Sequence, residues 1–174
     1  MNGSDACDEK DRREALSAGA QALPPLVLIG DPRLAQPCAP VDPAEIPTPD
    51  FQEKLRLLLL GLKHHHANGI AAPQLGWFQR FLLMRDPSTR SLVTWINPVV
   101  SATTGERLWS WEGCLSVPGM MAYIGRPAAV TVTGLDEKGK PLRREFRSWE
   151  RYRRRHPLSS NNWPWSLTDR IQAG

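Results

Sequence analysis

Proline sets the first constraint on this chain. It occupies 16 of the 174 positions. Each proline removes a backbone N–H and locks φ, which disfavours long helices and favours strands, turns and loops. One window still reads as a helix. Thr48 is placed to cap it, Pro49 sits at the first helical position, and Asp50 lies at the positive end of the helix dipole. Phe51, Leu55, Leu58, Leu59 and Leu62 recur at i, i+4, i+7, i+8 and i+11, which makes one apolar face. Asn68-Gly69 supplies residues able to take positive φ, so the helix is expected to stop just before them.

The rest of the chain is organised around that helix. Residues 1–22 are small and polar and read as a disordered leader. Leu26-Val27-Leu28-Ile29 then meets Gly30-Asp31-Pro32, and a proline-rich stretch runs to Pro49 as a surface loop. After the helix, short β-rich runs cover residues 80–84, 91–96, 107–111, 129–133 and 141–146. The last two flank Asp136-Glu137-Lys138-Gly139, a good hairpin turn. One helix followed by several mainly antiparallel strands is an α+β order, and residues 23–150 form the expected domain. Beyond Glu150 the texture changes to Arg151-Tyr152-Arg153-Arg154-Arg155-His156-Pro157, a polar stretch and Trp163-Pro164-Trp165. Residues 151–174 are expected to be a basic tail outside the core.

Composition narrows the partners. A 41% apolar and 23% charged chain is ordinary for a soluble globular domain. The net charge is +4, and Arg151, Arg153, Arg154 and Arg155 alone match it, so a specific nucleic-acid partner is not expected. Cys7, Cys38 and Cys114 are an odd number at wide spacing, which is no disulfide framework and suits a reducing cytoplasm. The acidic leader does not resemble a targeting peptide. The longest apolar run, residues 57–60, is far too short to span a membrane.

Two segments carry the chemistry. Trp111-Glu112-Gly113-Cys114-Leu115-Ser116 places a cysteine at the end of an expected strand. By its chemistry Cys114 is a small buried thiol, a nucleophile needing a positive neighbour, or a metal ligand deprotonated by the cation itself. Forty residues earlier, Gly69-Ile70-Ala71-Ala72-Pro73-Gln74 strings together small residues that let the backbone approach a peptide closely. On its own that segment is equally a helix end leading into a strand, with Gln74 facing solvent.

Together these segments resemble the first two signature motifs of the peptide deformylases. Glu112-Gly113-Cys114-Leu115-Ser116 matches the family's E-G-C-L-S throughout, and Gly69 to Gln74 is similar to the second half of its G-x-G-Φ-A-A-x-Q, with Ala67 in place of the first glycine. Gly30-Asp31-Pro32-Arg33-Leu34, the strand-ending Ile96-Asn97-Pro98, and the stretch from Gly134-Leu135-Asp136 to Trp149-Glu150 extend the likeness from about residue 26 to residue 150. The resemblance implies an α+β fold of mainly antiparallel strands around few helices. It also implies a metal-dependent hydrolase that removes the formyl group from the N-terminal methionine of new polypeptides. Cys114 would ligate Fe(II), replaceable by Zn(II). The Leu115 N–H would steady the oxyanion, and Gln74 would donate its amide to the formyl oxygen. Glu112 and Gly113 would shape the substrate pocket, with Gly69 and Ile70 meeting the peptide backbone. The implied partners are N-formylmethionyl peptides, with the ribosome as a further one.

The family's third motif, a helical H-E-x-x-H that begins after the Trp-Glu pair, does not occur in the 174 residues. His156 has Ser160 four residues on, and Pro157 would break such a helix. His64, His65 and His66 are adjacent, so they cannot form an i, i+4 pair and are expected to line the helix end. The central metal-binding helix is therefore expected to be missing. Two alternatives stand beside the hydrolase: a peptide binder without catalysis, and an RNA- or ribosome-contacting module built on the arginine run with Tyr152, Trp163 and Trp165.

Overall fold

The computed structural model describes residues 23–86, 89–102 and 105–147. The expectations for the leader, for the tail after residue 150 and for a missing metal-binding helix lie outside the described residues.

The expected helix, α1, spans Pro49–His64. Thr48 caps it by accepting from the Phe51 N–H at 3.4 Å, and a hydroxyl in that position satisfies one of the orphan donors of the first turn. The helix stops at His65, three residues short of Asn68. It turns off at His66, which takes the positive φ of 50° expected of Asn68, while the Ala67 N–H bonds back to Leu62. Phe51, Leu58 and Leu62 are fully buried, and Leu55 and Leu59 flank the same core.

Among the described residues seven strands follow: β1 (Gly69–Ala71), β2 (Phe81–Arg85), β3 (Leu92–Ala102), β4 (Arg107–Cys114), β5 (Val117–Pro127), β6 (Ala129–Leu135) and β7 (Pro141–Arg147). Five form an antiparallel sheet in the order β1-β2-β3-β6-β7, and β4 and β5 form a separate ribbon. The Asp136–Gly139 turn joins β6 to β7 as expected, and the Asp136 carboxylate accepts from the Lys138 and Lys140 N–H groups at 2.9 and 2.8 Å. Those two bonds hold the Asp136 carboxyl below its ordinary pKa.

The sheet is buried on both faces at β2 and the adjoining half of β3, which explains the unbroken apolar run of β2, while β7 alternates exposed and half-buried residues. Phe81, Leu83 and Ile96 face α1 and join its core, while Leu82, Met84 and Trp95 face the other way and pack with Ala71, Val93 and Val132. Ile96-Asn97-Pro98 does not end a strand as expected. β3 runs on to Ala102 through a register shift between Ile96 and Val99. Asn97 takes a φ of 51° there, and its side chain both donates to and accepts from the Val41 backbone at 2.8 Å. A bulge of this kind accommodates a proline that has no N–H for the ladder. The proline-rich stretch is not wholly irregular, for it contains short 3-10 turns at Pro32–Ala35 and Pro43–Glu45. Among the described residues no helix is long and apolar enough to cross a membrane.

Candidate functional site

The site lies where the glycine-rich segment meets the end of the β4–β5 ribbon. β1 carries Gly69 and Ile70 and pairs with β2, so both residues are buried in the sheet edge next to α1. Directly after it, Ala72–Leu75 forms a 3-10 turn closed by Gly76 at a φ of 88°. A left-handed position of that kind suits glycine. This turn swings the Gln74 side chain back under β1, where its Oε1 accepts from the Ala71 N–H at 3.0 Å. Gln74 is only 2% exposed, so the solvent-facing alternative is excluded.

The other end of the carboxamide points across to the ribbon. Gln74 Nε2 lies 3.6 Å from Cys114 Sγ, within the range of a hydrogen bond to sulfur. Cys114 is the last residue of β4, and the ladder shifts register between Gly113 and Cys114. That irregularity turns the thiol away from the regular alternation of the strand. Cys114 is half-buried. Leu115 packs against the α1 core, which fixes the backbone immediately after the thiol. Ser116 is 3% exposed, and its buried hydroxyl has no partner among the described residues.

Two tethers hold the halves together, and sequence reasoning did not find them. The Val27 N–H donates to the Gln74 carbonyl at 2.9 Å, and the Ile29 N–H donates to the Ser116 carbonyl at 2.8 Å. One extended apolar stretch therefore stitches the glycine-rich turn to the cysteine turn. Its sequence signal was the run Leu26 to Ile29, whose pairing with two turns rather than a strand no periodicity reveals.

Glu112 is also buried, at 7% exposure. Its carboxylate is held by the Arg126 guanidinium at 3.1 Å, from the neighbouring strand of the ribbon. A charge-assisted pair of this kind is what makes a buried carboxylate tolerable. Arg126 was not singled out in the sequence. Its strand, β5, begins with Val117-Pro118-Gly119, which reads as a turn.

A catalytic metal centre of the zinc type takes three protein ligands and leaves one position open. Cys114 offers one thiol, and Glu112 is committed to Arg126. Among the described residues no group of three His, Cys, Asp or Glu side chains is placed to hold an ion. His64 and His65 make an edge-to-face contact at 4.8 Å near the end of α1, and burial together with its two histidine neighbours pushes the His65 pKa down. The described residues therefore do not fit the metal by themselves. The other free thiol among the described residues, Cys38, lies outside the site, and burial pushes its pKa up.

The comparisons with known proteins agree with this architecture. The sequence profile of the polypeptide deformylase family matches residues 23–156. "Peptide deformylase 2" of Xanthomonas campestris is 36% identical over 121 residues, covering 69% of this chain and 71% of that protein. "Peptide deformylase 3" of Streptomyces avermitilis is 37% identical over 156 residues, covering 80% and 67% respectively. The crystal structure of peptide deformylase from Thermotoga maritima superposes with a TM-score of 0.67 at 25% identity, over 87% of this chain and 99% of that one. A Met-Ala-Ser-bound class I type b peptide deformylase from Acinetobacter baumannii shares the fold at a TM-score of 0.69 and 23% identity, over 87% and 100% of the two chains. By profile, sequence and fold, this chain belongs to the polypeptide deformylase family.

Proposed function

We propose that this chain binds the N-terminal end of N-formylmethionyl polypeptides and presents the formyl group to Gln74, Cys114 and Leu115. That is the substrate side of deformylation, the amide hydrolysis of this family. The observation that carries the reading is the 3.6 Å approach of Gln74 Nε2 to Cys114 Sγ. Because Oε1 is engaged by Ala71, the carboxamide cannot flip freely, and its donor end stays on the cysteine side. A donor fixed in this way needs no reorganisation when a carbonyl oxygen gains negative charge beside it. The Leu115 N–H, anchored by the packing of its side chain, is the second donor of the proposal. Buried β1, with Gly69 and Ile70, offers the backbone against which an extended peptide would lie. The thiol count supports a reducing compartment such as the cytoplasm.

The ligand set favours a second reading, in which the chain holds formyl-peptides without turning them over. Among the described residues Cys114 is the one thiol at the site, and no H-E-x-x-H follows in the sequence. One experiment separates the two: metal content and formate release from formyl-Met-Ala-Ser, measured on the same anaerobically purified sample beside Cys114→Ala. Stoichiometric metal and turnover, both lost in the variant, would mean that histidines among His64, His65, His66 and His156 complete a hydrolase. Peptide binding without metal or formate would leave a binder. Absence of both binding and turnover would defeat the proposal.

A further inference from the structure

α1 ends in a run of histidines that the formyl-peptide reading does not use. The helix closes with His64, and His65 is its C-cap, at φ −89° and ψ 5°. His66 follows at the positive φ of 50°. Side chains on successive residues of a regular helix diverge. Here the backbone leaves the helix at His65, and the His64 and His65 rings meet edge to face, with centroids 4.8 Å apart and planes at 83°. The backbone beneath them is fixed, because the His65 N–H donates to the Gly61 carbonyl at 3.0 Å and the His66 N–H to the Lys63 carbonyl at 3.1 Å. His64 is exposed and His65 half-buried, so both rings can be reached from solvent. Among the described residues no hydrogen bond or ion pair engages either imidazole.

We propose that His64 and His65 together bind a divalent transition-metal ion, at a site separate from Cys114. Three observations select that ligand. The first is spacing. Imidazole nitrogens bind such ions at about 2.0–2.1 Å, and two neighbouring ligands at that distance set their ring centroids roughly 4.5–5.2 Å apart. The observed 4.8 Å lies inside that interval. Each ring can turn a nitrogen toward the ion about χ2, a soft torsion in histidine, with little displacement of its centroid. The second is polarity. The last carbonyls of α1 lie at this end of the helix, and their partial negative charge favours a cation over an anion. The third is donor chemistry. Imidazole suits nickel, copper or zinc, whereas magnesium and calcium take oxygen ligands. Among the described residues no third His, Cys, Asp or Glu is placed to join the pair, so water completes the coordination. The inference does not rest on the formyl-peptide reading, because Gln74, Cys114 and Leu115 are not ligands here.

The test is calorimetric titration of the full chain, first stripped of metal by a chelator and dialysis, with Ni(II), beside His64→Ala, His65→Ala and Cys114→Ala. The expected result is a nickel-binding step that Cys114→Ala retains. Each histidine substitution should weaken it at least roughly tenfold, because two ligands tethered to one ion reinforce each other. His64 is exposed, so His64→Ala should leave the circular dichroism unchanged and decides the matter even where His65→Ala does not fold. A parent chain that takes up no nickel would overturn the proposal. An affinity that survives His64→Ala would do the same, since the ion then sits elsewhere. So would uptake that Cys114→Ala abolishes, which assigns the ion to the cysteine site.

Discussion

Gln74 and Cys114, forty residues apart in the chain, are joined by the Gln74 carboxamide at 3.6 Å while its oxygen is held by the Ala71 N–H at 3.0 Å. One side chain thus links the sheet edge to the ribbon. Gln74→Ala should destabilise the fold by about 1–3 kcal/mol, because it leaves a buried N–H unpaired. Denaturant unfolding measures this, and an unchanged midpoint would mean that water replaces the oxygen without penalty.

The Glu112–Arg126 pair has asymmetric consequences. Glu112 is nearly buried, with its side chain 5% exposed, whereas that of Arg126 is 21% exposed. Arg126→Met should strand a buried carboxylate and destabilise by about 3–5 kcal/mol, and Glu112→Gln should cost distinctly less. Chemical denaturation of both variants checks the order, which reverses if the arginine matters mainly by packing.

Gly134 and Gly61 should respond differently to alanine. A Cβ at Gly134 would stand 2.9 Å from the Ile96 carbonyl oxygen, a backbone atom that cannot turn aside. Gly134→Ala should therefore cost about 1–3 kcal/mol. At Gly61 the nearest atoms are the tips of the Ile70 and Leu75 side chains, at 3.0 and 3.3 Å. There the gain in helix propensity, ~1 kcal/mol, offsets the crowding, and Gly61→Ala should be near neutral. Thermal unfolding of the two variants decides it.

Much of this fold was legible because its signals are local. Thr48, Pro49 and the leucine spacing announced α1, and Asp136 to Gly139 announced the β6–β7 turn. β5 was missed because Pro118-Gly119 reads as a turn, and β1 because three residues carry no periodicity. Of the residues the fold brings to the candidate site, Gln74, Cys114 and Glu112 were picked out in the sequence by their motifs. Arg126, Val27 and Ile29 were not, because their roles arise from pairing across the fold: a cross-strand charge in one case, backbone N–H groups in the others.

His65 makes stability depend on pH. Its pKa is lowered in the fold, first by burial and then by the His64 and His66 charges. The unfolded chain therefore binds more protons just below its ordinary value of about 6.5. Stability should rise with pH through that window, from the folded pKa up to the unfolded one, and level off on either side. His65→Gln should flatten the slope in a series of thermal melts. A slope unchanged in the variant would assign it to another group.

The central claim is recognition of the formyl group through Gln74. The most direct test is calorimetric titration of the full chain with formyl-Met-Ala-Ser and with Met-Ala-Ser, repeated on Gln74→Ala. The account predicts that the formylated peptide binds about tenfold more tightly, the worth of one well-placed hydrogen bond, and that the substitution erases the preference. Equal affinity for the two peptides in the parent chain, or a preference that survives Gln74→Ala, would contradict it.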